Sequence, residues 1–353
     1  MKRLTSILLA LVMVISLTAC GSTADTEKEE TTSGAAEEVM EETAGETEAE
    51  EAQAESSEGE KGTIKIGLSI AGLTMPYFVR MYEGFLAAAE EQGWEVVFAD
   101  GGVDAESTVK AVEDLLSNDI DALAVSTNYS EALADTFATC KEEGIPIFYI
   151  GNLNLVPEVQ ESMTFWEGTR NDSAGYLGGL WMGDYLDGIG YKKELNVVCV
   201  SLMSDPLIQR YQGFEQGLKD KGYTVNLVNT VGDLTRENSL ASSEDMLTAH
   251  DDLDIFYGTA GTSALGAYDA TQNAGRTEVM VVGFDGEDEE IQHIDEGGNY
   301  ICTICQDPVG ESEVTVEAIK TVLEGGTVEG GHETPAKIYG TETGYVTSDE
   351  LLK

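Results

Sequence analysis

The polar side chains that could bind or transform a ligand collect where apolar, strand-like runs of this sequence end. Residues 279–286 read VMVVGFDG, so Asp285 follows an apolar run and lies between a Phe and a Gly. Arg210 lies in the amphipathic segment after another such run. The other candidates at or near run ends are Ser69, Tyr77, Phe78, Asn128, Asn152, Asn154, Trp166, Thr259 and Gln306. Such side chains serve catalysis in some folds and ligand capture in others.

The histidines and cysteines form no recognisable catalytic or metal-binding pattern. His250, His293 and His332 have no spacing that combines a nucleophile, a base and an orienting group. Cys302 and Cys305 have the spacing of metal and redox motifs. However, they lie in a strand-like run, where side chains three residues apart point to opposite faces. No phosphate loop is present, and no GxGxxG follows the first strand. We therefore expect no enzymatic activity, no cofactor and no metal.

Strand-like and helix-like segments alternate from Ile64 onward. Predicted strands are 64–70, 96–98, 122–125, 147–150, 163–166, 197–200, 225–228, 255–257, 279–282 and 300–304, and amphipathic segments include 107–116, 133–143, 207–218 and 314–323. This alternation predicts parallel sheets with helices on both faces. Asp205 and Asp307 each precede a proline, which predicts two capped helix starts. Because ligands bind beyond the carboxyl ends of parallel strands, Asp285 is expected to lie at a cleft.

The first twenty residues indicate export. Lys2 and Arg3 precede an apolar run over residues 7–15, and the segment 4–19 is shorter than the roughly 20 residues of a membrane-spanning helix. Its end, LTACG over residues 17–21, resembles the lipobox of bacterial lipoproteins. The resemblance implies a signal peptide over residues 1–20 that ends at a lipidated Cys20. Lipid chains on Cys20 would anchor the protein to the outer face of the bacterial cell membrane.

Negative charge dominates the remainder of the chain. Residues 21–62 contain no aromatic residue and carry 15 acidic residues against Lys28 and Lys61, which predicts a disordered acidic linker. Of the net charge of −47, residues 63–353 carry −36. Because nucleic-acid binding needs a basic surface, this charge excludes a nucleic-acid partner, and it disfavours a polyanionic ligand.

Four stretches, GLSIAGLTMPYFVRMYEGF, EGTRNDSAGYLGG, VVGFDG and TICQDPVG, carry a family resemblance over about residues 64–339. The chain resembles the type I periplasmic solute-binding proteins, typified by the ribose- and galactose-binding proteins of ABC importers. The resemblance implies an α/β fold of two Rossmann-like lobes with parallel sheets, joined by a three-strand hinge that closes on a ligand. The implied N-terminal lobe is residues 63–169 with 307–336, and the implied C-terminal lobe is residues 170–306 with 337–353.

The resemblance also implies roles for individual residues. Tyr77 and Phe78 match paired aromatics that pack against a sugar ring, although only one of them can face the cleft. Arg210 matches a ligand-contacting arginine, and Asp285 matches a carboxylate that accepts hydrogens from ligand hydroxyls. Gln306 matches an amide beside the hinge. Structural roles are the alternatives: a helix cap for Asp285 and a surface ion pair for Arg210.

Other predicted binding residues have weaker support. Ser69, Asn128 and Thr259 are predicted ligand contacts from their places at strand ends. Trp166 is a candidate contact whose alternative is packing at the hinge, and the alternative for Asn152 and Asn154 is a position in an ordinary loop.

Several positions depart from the ribose-binding members of the family. These members carry Asp-Arg where this chain has Gly151-Asn152, an Asn or Asp near Ala260, and an aromatic side chain at Leu234. Arg170 replaces the first Asp of a Thr-Asp-Asn hinge motif. A site without these groups makes fewer strong hydrogen bonds, so ribose itself is not the expected ligand.

The sequence therefore predicts a monomeric, lipid-anchored binding protein that delivers a small neutral carbohydrate, a monosaccharide or polyol, to an ABC permease and ATPase complex. One alternative is a sugar sensor that signals to a membrane receptor. Another is a binding protein for a non-sugar ligand such as a nucleoside or an autoinducer.

Overall fold

The computed structural model describes residues 62–151 and 155–353. The signal segment, Cys20, the acidic linker, Asn152 and Asn154 fall outside the described residues. Two sheets with flanking helices account for the described part of the chain, which confirms the predicted α/β class with two parallel-sheet lobes. Among the helices of these ranges, none combines the length and the apolar character needed to cross a bilayer.

The first sheet has six parallel strands in the order β11-β5-β4-β3-β1-β2. Its strands are β1 (Lys65–Ile70), β2 (Glu95–Asp100), β3 (Ala122–Ser126), β4 (Ile147–Ile150), β5 (Phe165–Gly168) and β11 (His332–Glu333). Four helices lie between these strands in the chain: α1 (Pro76–Glu91), α2 (Ala105–Leu116), α3 (Ala134–Glu143) and α4 (Pro157–Gln160), with a 3₁₀ turn at Ser130–Leu133. A fifth helix, α10 (Pro308–Leu323), packs on this sheet after the chain has passed through the second sheet.

Both faces of this sheet are buried, because successive side chains of a strand point to opposite faces. Ala122 and Ala124 of β3 belong to the core with α1 and α10, whereas Leu123 and Val125 belong to the core with α2 and α3. The continuous apolar run of β3 is typical of a parallel strand covered on both sides.

The second sheet has seven strands in the order β13-β12-β10-β9-β8-β6-β7. The strands are β6 (Glu194–Val200), β7 (Thr224–Val231), β8 (Ile255–Gly258), β9 (Met280–Asp285), β10 (Tyr300–Cys305), β12 (Lys337–Gly340) and β13 (Gly344–Val346). Among these strands of the described chain, β12 pairs antiparallel with β10 and with β13, and the other neighbours pair parallel. The accompanying helices are α5 (Asn171–Gly188), α6 (Asp205–Asp220), α7 (Arg236–Ala249), α8 (Gly261–Ala274), α9 (Asp288–Glu296) and α11 (Ser348–Leu351).

Two local predictions are corrected. The strand expected over residues 163–166 lies at Phe165–Gly168, because its register is set by pairing with β4 rather than by its own apolar residues. Asp205 is the first residue of α6 and does not cap it, since Ser204 occupies the N-cap position without a side-chain bond. Asp307 does cap α10, where its carboxylate accepts from the Gly310 N–H at 3.1 Å.

The chain passes between the two sheets three times, from β5 to α5, from β10 to α10 and from β11 to β12. Glu311 of α10 is fully buried beside these passages. Its carboxyl group accepts from the Tyr77 hydroxyl at 3.0 Å and from the Thr169 hydroxyl at 2.9 Å. The Thr169 hydroxyl also lies 3.0 Å from the Thr334 carbonyl. Glu311 thus joins α1 to the first and third passages.

Burial is the main reason that the pKa of Glu311 is raised from its ordinary value of 4.5 to about 7. In the protonated form, Glu311 can donate to the Thr169 hydroxyl, which then donates to the Thr334 carbonyl. Because the pKa is raised on folding, the stabilisation from Glu311 is complete below pH 4.5 and is lost as the pH rises through about 7.

Replacement of Glu311 by Gln is expected to remove this pH dependence, since an amide can donate to Thr169 and accept from Tyr77 at any pH. The melting temperature of Glu311→Gln relative to the wild type should rise by roughly 3–6 °C between pH 5 and pH 9 in thermal unfolding. Glu313→Gln, on an exposed position of the same helix, is the matched control. Parallel curves for Glu311→Gln and wild type would show that Glu311 is ionised throughout.

Candidate functional site

Arg210 is the centre of a polar cluster at the carboxyl ends of the second sheet. Its side chain, on α6, is only 3% exposed. Nε donates to the Asn171 amide oxygen at 2.8 Å, and one terminal nitrogen donates to the Thr259 carbonyl at 2.7 Å and to the Asp285 carboxylate at 3.2 Å. The other terminal nitrogen donates to the Gln306 amide oxygen at 3.2 Å. One guanidinium group therefore connects α5 with the ends of β8, β9 and β10.

Close packing of α5 against α6 brings Asn171 to Arg210. Four glycines, Gly175 and Gly179 of α5 with Gly213 and Gly217 of α6, face the backbone of the opposite helix. A Cβ atom added to Gly175 would lie 1.9 Å from the Arg210 carbonyl oxygen, and one on Gly213 would lie 2.1 Å from the Asp172 carbonyl oxygen. Only glycine permits this separation of the helices.

Asp285 ends β9 with a backbone φ of +97°, a conformation that is rare for a residue with a side chain. Besides its ion pair with Arg210, its carboxylate accepts from the Gly261 N–H at the start of α8, at 3.2 Å. The N-terminus of a helix favours a negative charge. The N-cap of the following helix α9 is Glu287, so Asp285 does not cap that helix.

Two buried donors of this region have no hydrogen-bond partner among the described residues. They are the Nδ2 of Asn171 and the Nε2 of Gln306. The oxygen atoms of both amides accept hydrogen bonds from Arg210. The NH2 groups of the same amides therefore remain as donors for another partner. A buried donor without a partner costs about 1–3 kcal/mol, so these groups are suited to bind acceptors such as hydroxyl oxygens.

The adjacent aromatic residues have different surroundings. The rings of Tyr77 and Phe78 pack edge to face, with centroids 5.2 Å apart. The Tyr77 hydroxyl is bound to Glu311, whereas Phe78 lines a cavity of about 270 Å³ between loops of the two sheets. We call it the interlobe cavity, and its walls include Met75, Val103 and Asn128 from the first sheet and Leu202 and Leu234 from the second. Of Tyr77 and Phe78, it is therefore Phe78 that lies on the cavity side.

The remaining predicted residues fall in several places. Ser69 is the penultimate residue of β1, and its buried hydroxyl has no partner among the described residues. Asn128 lines the interlobe cavity. The Thr259 hydroxyl donates to Ser201 at 2.7 Å. Trp166 lines a different cavity with Arg170 and Gln209, and it packs so closely on Gly331 that a Cβ there would lie 1.9 Å from its ring. Trp166 is therefore not part of the interlobe cavity, and Asn152 and Asn154 lie outside the described residues.

The structure adds three residues that the sequence interpretation did not select. Asn171 follows β5, and it was missed because that strand was predicted to end before its true end at Gly168. Arg80 of α1 donates to the Asp285 carbonyl at 3.1 Å and lies 3.4 Å from the Glu287 carboxylate. Burial, followed by the charge of Asp285, raises the pKa of Glu287 to about 7, whereas Arg80 lowers it. No local pattern signals this pairing, because its partners are about 200 residues apart.

No group of His, Cys, Asp and Glu side chains able to hold a metal ion occurs within residues 62–151 and 155–353. Cys140, Cys199, Cys302 and Cys305 are buried free thiols. Burial raises the pKa of the Cys305 thiol to about 12 and that of Cys302 well above its usual range, so both are unreactive neutral thiols at pH 7.

Comparison with known proteins gives the same fold and family. The sequence model of the family described as "Periplasmic binding protein domain" matches residues 66–327. The ribose import binding protein RbsB of Bacillus subtilis is 25% identical over 283 residues, which cover 80% of this chain and 89% of that protein. RbsB of Escherichia coli is 27% identical over 277 residues, covering 77% and 89%.

A solved structure provides an independent comparison of the fold. The ABC transporter solute binding protein from Mycobacterium smegmatis, with bound glycerol, aligns with a TM-score of 0.71 at 23% identity, over 80% of this chain and 96% of that one. The relatives are transport proteins, which confirms the expectation of a binding protein rather than an enzyme. Together with the two-lobed fold, the family match over most of the domain shows that this chain belongs to the periplasmic binding protein family, as the type I resemblance predicted.

Proposed function

We propose that this protein is the extracytoplasmic solute-binding lipoprotein of an ABC importer and that it captures a small neutral carbohydrate, a monosaccharide or polyol, by closure of its lobes. Membership of the family and the two relatives named for ribose import support the class of ligand. The proposal keeps the division into lobes at residues 63–169 with 307–336 and 170–306 with 337–353.

The polar cluster around Arg210 is the observation that carries the ligand class. The charges of Arg210 and Asp285 compensate each other at 3.2 Å, so the pair needs no charged ligand. The neighbouring Asn171 and Gln306 offer buried NH2 groups without partners among the described residues. Hydroxyl groups can accept from these amides and donate to the Asp285 carboxylate, and the Phe78 ring supplies an apolar surface for C–H bonds.

Contacts of Arg80 support closure of the lobes on the ligand. Arg80 belongs to α1, which packs on the first sheet. Its partners are Asp285, the last residue of β9 in the second sheet, and Glu287, two residues later. Its bond to the Asp285 carbonyl also restrains the residue that is held in an unusual backbone conformation. Arg80 is therefore a positioning residue that stabilises the closed arrangement through Asp285.

The proposed place in the cell comes from the N-terminal residues. The signal over residues 1–20, lipidation of Cys20 and the acidic linker over residues 21–62 would hold a monomeric domain at the outer face of the membrane. There it would deliver the ligand to a permease and ATPase complex.

A thermal-shift screen of the purified full-length protein tests the ligand class. The compounds are pentoses, hexoses, polyols, nucleosides and amino acids. A ligand at one hundred times its dissociation constant adds about 2.7 kcal/mol to the unfolding free energy, enough for a clear shift in melting temperature. Stabilisation by a sugar or polyol alone supports the proposal, and stabilisation by a nucleoside or amino acid alone overturns it.

Gln306→Glu is expected to separate ligand binding from folding. The new carboxylate can still accept from Arg210, which keeps the fold stable, but it cannot donate to a ligand. Affinity for the sugar or polyol found in the screen should fall at least about tenfold in calorimetry, while the melting temperature without ligand stays the same or rises.

Gln212→Glu is the control for the added charge, because Gln212 is exposed on α6, the helix that carries Arg210. It should leave affinity unchanged. Wild-type affinity of Gln306→Glu would mean that the amide only supports Arg210.

Replacement of Arg80 by Met should weaken closure. Loss of its bonds to Asp285 and Glu287 is expected to speed ligand dissociation about threefold to tenfold in stopped-flow measurements, with a smaller change in association. Lys110→Met, which removes an exposed cation from α2, is the control. An unchanged dissociation rate would show that Arg80 does not stabilise the bound state.

Cys20→Ser tests the anchor. Without a thiol to lipidate, the protein should move from the membrane fraction to the soluble exported fraction after cell fractionation, with sugar binding unchanged. Retention of the variant in the membrane fraction would contradict anchoring through Cys20.

A further inference from the structure

The interlobe cavity has a predominantly apolar lining. We define the apolar wall as Met75, Phe78 and Val103 from the first lobe together with Leu202 and Leu234 from the second. Val103 is 63% exposed, and Met75, Leu202 and Leu234 are partly exposed. Exposed apolar side chains gathered at a cleft indicate contact with an apolar partner.

Two polar side chains of the same cavity, those of Tyr129 and Asp233, are hydrogen-bonded to neighbouring parts of the protein. The Asp233 carboxylate accepts from the Thr235 N–H at 2.6 Å, from the Thr235 hydroxyl at 2.7 Å and from the Asn238 amide at 2.7 Å. The Tyr129 hydroxyl donates to the Val103 carbonyl at 2.8 Å. Beside Thr74 and Asn128, the apolar wall therefore provides most of the remaining side-chain surface of the cavity.

Short hydrogen-bonded connections join the wall to the polar cluster. Thr259, whose carbonyl binds Arg210, donates through its hydroxyl to Ser201, and Ser201 donates to the Leu202 carbonyl at 2.8 Å. The Thr262 hydroxyl donates to the Leu234 carbonyl at 2.7 Å, directly after the Gly261 N–H that binds Asp285. The loops that hold Leu202 and Leu234 are thus fixed to those that hold Arg210 and Asp285.

We infer that the ligand is a carbohydrate with an apolar alkyl or aryl substituent, whose hydroxyls bind at the Arg210 cluster while the substituent contacts the apolar wall. This inference rests on the proposed function and narrows its ligand class. A fully hydroxylated sugar would place hydroxyls against Leu202 and Leu234, where they would lose hydrogen bonds to water without replacement. The 270 Å³ of the interlobe cavity equals the volume of about nine waters, which is sufficient for a short alkyl chain or one aromatic ring.

The inference is tested by measuring affinities for the full-length protein in calorimetry. The ligands are D-ribose, D-galactose and D-glucose, together with both anomers of the methyl, n-butyl and phenyl glycosides of each sugar. For at least one sugar and anomer, affinity should increase from the methyl to the butyl glycoside by up to about fourfold per buried methylene. The butyl or phenyl glycoside should bind at least tenfold more tightly than the free sugar.

Substitutions in the apolar wall test whether the alkyl or aryl substituent binds there. Leu234→Asn and Leu202→Asn should each reduce the preference for the butyl or phenyl glycoside by at least fivefold, measured as the ratio of its affinity to that of the free sugar. Leu227→Asn, on β7 with 45% of Leu227 exposed, is the matched control and should keep the preference. A preference that survives both wall substitutions overturns the inference.

The outcomes distinguish this inference from the proposed function. If free sugars bind as tightly as their glycosides, the inference of an apolar substituent is overturned and the proposed function stands. If no sugar or glycoside binds and a nucleoside or amino acid does in the screen, both are overturned.

Discussion

The buried guanidinium group of Arg210 makes the interactions on which the carboxyl-terminal edge of the second sheet depends. A buried cation without compensation is strongly destabilising, so its neighbours must supply acceptors in fixed directions. Asp285, Gln306, Asn171 and the Thr259 carbonyl provide them, and each comes from a different part of the chain. Its plane also lies over the Phe284 ring, 3.8 Å from the centroid, which protects it from water.

This requirement explains features that look unrelated along the sequence. The glycines of α5 and α6 allow Asn171 to reach Arg210, and the left-handed backbone at Asp285 turns its carboxylate toward both Arg210 and α8. Because the amide oxygens of Asn171 and Gln306 accept from the guanidinium group, their two NH2 groups have no partner among the described residues. The same bonds that stabilise a buried arginine therefore leave two buried amide donors without partners among the described residues.

Much of this arrangement can be predicted from sequence because parallel strands bring their carboxyl ends together. Asp285, Arg210, Gln306 and Thr259 were selected on that rule, and the structure places them in contact. Asn171 obeys the same rule, but its strand has few apolar residues of its own and is positioned by pairing with β4. Arg80 could not be predicted from sequence, because its contacts depend on how α1 packs against the end of β9. No local sequence pattern indicates that packing. The binding roles of all these residues stay predictions.

The threefold passage of the chain between the sheets also has a consequence for biosynthesis. Val316, Ala318 and Ile319 of α10 complete the core of the first lobe beside α1, although almost the entire second lobe precedes them in the chain. The second lobe in turn obtains β12 and β13 only after α10. Neither lobe is complete until nearly the last residue has been made, so a polypeptide that ends before Pro308 lacks parts of both cores. Termination before Pro308 should therefore yield no intact single lobe.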